Sequence, residues 1–92
     1  MDMQDICVDA LMTFGTTSQI DMAIEECAEL INALQKRKRG RASKEDIITE
    51  IADVTIMMCQ MSYLYGKIEV DKQIDFKLKR LEERIENYKL TE

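Results

Sequence analysis

Apolar positions along the chain recur at three- and four-residue intervals, which is the period of a helix and not the alternation of a strand. Three glycines (Gly15, Gly40, Gly66) punctuate the pattern, and proline is absent. Glycine takes up the left-handed backbone conformation without steric cost, so it commonly ends helices. Four helices are therefore predicted. The first runs from about Asp2 to Phe14, with Ile6, Ala10 and Leu11 as its apolar residues. The second begins after Ser18, a good N-cap with Asp21 three residues on, and ends near Arg39. Its apolar arc centres on Ile20, Cys27 and Ile31. The third begins after the N-cap Ser43, has Glu45 and Asp46 in its first turn, and reaches about Tyr65. The fourth spans about Asp71 to Tyr88, where Ile74, Leu78, Leu81, Ile85 and Tyr88 form a seam of coiled-coil spacing. The expected fold is all-α: one domain over residues 1–92, an antiparallel bundle of about four helices.

The third helix differs from the others. From Ile47 onward its apolar residues cover almost the whole circumference, and a helix of that kind is buried on all sides. In a chain of 92 residues this calls for a partner subunit, so a homodimer or homotetramer is expected. The same helix carries Glu50 and Asp53 on one face, shared with Met57, Met61 and Leu64. The second helix carries Glu25, Glu26 and Glu29 in "EECAE". An antiparallel hairpin through Gly40 can set Glu26 and Glu29 opposite Glu50 and Asp53. None of these five acids has a lysine or arginine three or four positions away, whereas the fourth helix mixes Lys79, Glu82, Glu83, Arg84 and Glu86. Like charges at helical spacing destabilise by a few tenths of a kcal/mol (~0.2–0.5) when exposed, and by more when desolvated. An all-oxygen cluster suits a hard ion, Mg²⁺ or Mn²⁺. A plain solvated face is the competing reading for "EECAE", because Glu26 only borders the apolar arc and Glu25 and Glu29 lie toward the polar side.

Composition narrows the chemistry. Apolar residues make up 46% and charged residues 34%, enough for both a core and a solvated surface. The net charge of −5 argues against general affinity for nucleic acid or acidic membranes. No run reaching the ~18 apolar residues of a membrane span is expected, nor a signal peptide. The three cysteines read as reduced core thiols of a cytoplasmic protein. With no histidine, imidazole bases and His-ligated zinc are excluded, and chemistry falls to carboxylates, lysine, tyrosine or cysteine.

The E-E-x-x-E motif at Glu25, Glu26 and Glu29, followed on the next helix by E-x-x-D at Glu50 and Asp53, resembles the MazG-like all-α nucleoside triphosphate pyrophosphohydrolases. The resemblance covers the second and third helices, and extends to the length and helix count of the chain. It implies a Mg²⁺ site made by Glu26, Glu29, Glu50 and Asp53, with Mn²⁺ as a substitute. It implies catalytic roles for Glu25 and Glu26, in which Glu25 orients a water or a second ion. The implied reaction cleaves between the α- and β-phosphates of a nucleoside triphosphate, giving the monophosphate and pyrophosphate, and suits nucleotide-pool cleaning. Lys77 and Arg80 in "FKLKR" fit loosely as phosphate ligands; ordinary surface charge is the alternative. The run "KRKRGR" (Lys36 to Arg41) reads first as a solvated helix end, with phosphate capture or weak nucleic-acid contact as alternatives. Phe14, Asn32, Tyr63 and Tyr65 are the available groups for base recognition. A non-catalytic helical interaction module, pairing through the fourth helix, is the rival function.

Overall fold

Asp2 and Ser43 set the starts of two helices. The Asp2 carboxylate accepts from the Asp5 N–H at 2.9 Å, which opens α1 (Met3–Phe14). Ser43 Oγ accepts from the Asp46 N–H at 3.1 Å while the Asp46 carboxylate accepts from the Ser43 N–H at 2.9 Å. This reciprocal box opens α3 (Lys44–Tyr65). The backbone and side-chain hydrogen bonds from Ser43 hold the Asp46 carboxyl below its ordinary value. Replacing Ser43 with alanine is expected to cost about 1 kcal/mol and lower the melting temperature by ~4–8 °C, read by thermal circular dichroism.

The other two helices, α2 (Thr16–Lys38) and α4 (Lys67–Leu90), follow directly on Gly15 and Gly66. Both therefore start earlier than the sequence pattern suggests. Ser18 lies inside the first turn of α2 and caps nothing, because Gly15 alone reverses the chain between α1 and α2. Likewise α4 begins at Lys67 and not near Asp71, with the Gly66 carbonyl accepting from the Val70 N–H at 2.9 Å. The computed structural model describes residues 1–91, and among them the chain is all-α with four helices.

Helices α1, α2 and α3 pack on one another, with the α2–α3 hairpin as the main pairing; α4 touches only α3. The buried apolar residues are Cys7, Leu11, Ala23, Ala33 and Met57. Of the positions expected to be apolar anchors, Ile6 on α1 and Ile31 on α2 are more than half exposed, while Ala10, Ile20 and Cys27 are half-buried. On α2 the buried face carries Gln19, Ala23 and Ala33, and Ile31 lies about 200° around the helix from Ala33. Gln19 and Gln60 are buried instead. The Gln60 amide donates to Met57 Sδ at 3.7 Å. Cys7 Sγ donates to the Ile56 carbonyl at 3.7 Å. Burial, followed by the neighbouring Cys59, pushes the Cys7 thiol up to about 11, so it stays protonated at neutral pH. All three cysteines are free.

The described chain is extended for its size. Its radius of gyration is 16.5 Å, whereas a compact domain of this length has about 12 Å. Its accessible surface is 7357 Å², against about 5,500 Å² for a compact monomer of this mass. The excess has a visible source. No residue of α4 is buried, and its seam of Ile74, Leu78, Leu81, Ile85 and Tyr88 lies open. On α3, Ile48, Ile51, Ile56 and Met58 are also exposed.

By length and composition α3 is apolar enough to cross a membrane, although Glu50 and Asp53 interrupt its apolar run. An aspartate at a bilayer centre costs about 3 kcal/mol, however, and α3 already lies against all three other helices.

Candidate metal centre

The α2–α3 hairpin brings together Glu26 and Glu29 from one helix and Glu50 from the other. One carboxylate oxygen of each lies within 4.8 Å of the other two. Glu26 Oε2 and Glu50 Oε2 are buried and have no hydrogen-bond partner within the chain. Burial first, then the charges of Glu29, Asp53 and Glu50, raise the Glu26 pKa above its ordinary value. Burial first, then Glu29, Asp53 and Asp46, raise that of Glu50. No basic side chain forms an ion pair with any of them: the one ion pair among the described residues is Lys67–Asp71, at 2.6 Å on α4.

The sequence anticipates four converging carboxylates, and the structure gathers three. Asp53 is half-buried and close enough to raise Glu26 and Glu50, but stands outside the triad. Its side chain is one methylene shorter and sits about a turn further along α3. Glu25 is exposed, about 100° around α2 from Glu26, and does not join the cluster. The donor set of the triad is all-oxygen and anionic, and two of its oxygens are buried without a donor. It fits a hard divalent cation.

The raised pKa values fix the sign of a pH effect on the metal-free protein. A carboxyl whose folded pKa exceeds its unfolded value binds protons more tightly when folded. Its contribution to stability therefore grows as pH falls from neutral through the raised values of Glu26 and Glu50 toward 4.5. Asp46 works in the opposite sense, but only below 3.8. Without divalent metal, the melting temperature is expected to rise as the buffer moves from pH 7 toward pH ~5. Thermal melts at stepped pH in EDTA check this; a flat or falling profile would refute the repulsion assigned to the triad.

Beside the triad opens a cleft of about 320 Å³ lined by Glu29, Asn32, Lys36, Arg41, Asp46 and Glu50. Lys36 and Arg41 belong to the basic run that reads most simply as a solvated helix end; the structure places both in the lining of the cleft that Glu29 and Glu50 share. One signal for Lys36 lay in the spacing: it is seven residues beyond Glu29, two turns along the same face of α2. Arg41 carries no such signal, because its position depends on the α2–α3 turn. There Gly40 takes φ 73°, a conformation other residues adopt at a cost. The Arg41 N–H donates to the Lys36 carbonyl at 2.9 Å, and the Arg37 guanidinium donates to the Ala42 carbonyl at 3.1 Å.

Of the groups considered for base recognition, only Asn32 lines this cleft. Phe14 borders a separate groove with Ile6 and Thr13. Tyr65 is exposed, and Tyr63 lies with its ring 6.0 Å from the Lys67 ammonium. Lys77 and Arg80 line a surface groove on α4 with Leu81 and Arg84, and α4 makes no contact with α2. The described chain thus does not bring these two residues to the carboxylates. Comparison with protein-family models, with curated proteins and with solved structures finds no match to the chain.

Proposed function

We propose that the chain is a Mg²⁺-dependent nucleoside triphosphate pyrophosphohydrolase of the MazG-like all-α kind, hydrolysing the bond between the α- and β-phosphates. One observation carries this reading. Three carboxylates from two helices present oxygens within 4.8 Å of one another, and two of those side chains hold a buried oxygen that no donor satisfies. A folded protein tolerates such a cluster when a cation neutralises it. Mg²⁺ when bound neutralises charge developing on phosphate oxygens and makes water more acidic, which histidine-free chemistry requires.

The chain's own residues divide the remaining work. Glu26, Glu29 and Glu50 would hold the ion, with Asp53 beside them adding negative potential. Glu26 and Glu25 would take the catalytic roles that the motif implies, Glu25 orienting a water and a carboxylate next to the ion taking that water's proton. We further propose that copies of the chain associate. The surface exceeds that of a compact monomer by roughly 1,900 Å², more than the ~800 Å² per partner of a standard interface.

The rival reading, a non-catalytic interaction module, is favoured by the open seam of α4. Incubating the protein with ribo- and deoxynucleoside triphosphates and Mg²⁺, while monitoring pyrophosphate, separates the two. Pyrophosphate and monophosphate are expected in equal amounts, and EDTA is expected to stop their release. If no triphosphate is turned over, the hydrolase reading fails and the interaction module stands.

A further inference from the structure

The cleft joins two charge sets that form no ion pair with each other. Glu29, Asp46 and Glu50 line one part and Lys36 and Arg41 another, yet among the described residues none of these acids lies within ion-pair distance of either base. Opposite charges thus share a cleft of about 320 Å³ without pairing. Lys36 is fixed on the last turns of α2. Arg41 follows Gly40 in a turn tied by its own N–H to the Lys36 carbonyl at 2.9 Å. The neighbouring Arg37 donates to the Ala42 carbonyl at 3.1 Å, and Lys36 and Arg41 are the basic side chains that line the cleft.

A ligand satisfying both sides must carry a cation and an anion together. A metal-chelated polyphosphate does so: the ion meets the carboxylates and phosphoryl oxygens meet the ammonium and the guanidinium, whose fork matches phosphate geometry. The volume lies within the range of ligand pockets and is enough for a phosphate chain. We propose that Lys36 and Arg41, at the α2–α3 turn, bind the phosphate chain of the substrate beside the triad. The proposal rests on the metal reading of the triad and assigns the anion subsite to the turn instead of α4.

Inorganic tripolyphosphate, which has no base or sugar, is the probe. Its binding to the full chain is measured by calorimetry with and without Mg²⁺, for the wild type, Lys36→Ala, Arg41→Ala and, as a charge control outside the cleft, Lys38→Ala. Lys36→Ala and Arg41→Ala are each expected to weaken Mg²⁺–tripolyphosphate binding by about tenfold or more, the scale of a lost charge-assisted hydrogen bond. Both should leave the affinity for Mg²⁺ alone unchanged, and Lys38→Ala should bind as the wild type. Unchanged binding in Arg41→Ala and Lys36→Ala, or equal weakening in Lys38→Ala, overturns the subsite while leaving the triad intact. A wild type that binds Mg²⁺ but not tripolyphosphate also overturns it. A wild type that binds tripolyphosphate equally with and without Mg²⁺, and loses it in Arg41→Ala, supports the subsite and removes the metal reading. A wild type that binds neither removes both.

Discussion

Saturating Mg²⁺ should raise the melting temperature of the wild-type chain by about 10–20 °C, and Glu50→Gln should abolish the rise. The magnitude follows from linkage. A ligand at about one hundred times its Kd stabilises the folded state by ~2.7 kcal/mol, and each kcal/mol shifts a domain of this size by ~4–8 °C. Glu50 is chosen because it is the one member of the triad contributed by α3, so the ion loses its bridge between helices when Glu50 is neutralised. Glutamine keeps the shape and removes the charge. In EDTA the variant should melt no lower than the wild type, since like charge has been removed beside Glu26 and Glu29. A variant that is merely misfolded would melt lower in EDTA as well. If Glu50→Gln retains the full Mg²⁺ shift, the triad is not the metal site.

The second large effect concerns assembly. In solution the wild type is expected to have a mass that is a multiple of 10.7 kDa. The double variant Leu78→Glu, Leu81→Glu is expected to run as a monomer at micromolar concentration. Burying a leucine side chain contributes ~1.5–3 kcal/mol. In a symmetric pair four leucines are affected, for about 6–12 kcal/mol, which moves a nanomolar association beyond the micromolar range. Helicity should persist, because no residue of α4 is buried within the protomer. Analytical ultracentrifugation of both proteins decides the matter. A wild-type monomer at micromolar concentration would mean that the open surface serves some other contact.

Much of the fold could be read from the chain because its cues are local. Gly15, Gly40 and Gly66 mark the helix junctions, and the Ser43 cap needs only residues three apart. Glu26, Glu29 and Glu50 could also be placed, since helical spacing fixes their faces and a short turn fixes the pairing of α2 with α3. Tertiary placement was less accessible. α2 turns the face of Ala23 and Ala33 inward and leaves Ile31 out, a choice of face set by the packing of α1 and α3 and not by the apolar arc alone. The buried amides of Gln19 and Gln60 were hidden for the same reason. Arg41 depends on one left-handed residue, Gly40, and the fourth helix depends on Gly66. The apolar spacing of α4 signals a seam but not its direction, so Lys77 and Arg80 looked available to a site that their helix does not reach within the described chain.

Gly66 has a wider consequence. It is the single residue between α3 and α4, with φ 132°. Two torsion angles there aim a rod of 24 residues, about 36 Å long. A rotation of about 10° at that joint sweeps the far tip through as much as ~6 Å without moving Glu26, Glu29 or Glu50. The direction of α4 is thus mechanically separable from the carboxylate cluster. A lineage could re-aim the open seam of α4 by small torsional steps while the α2–α3 hairpin is inherited unchanged.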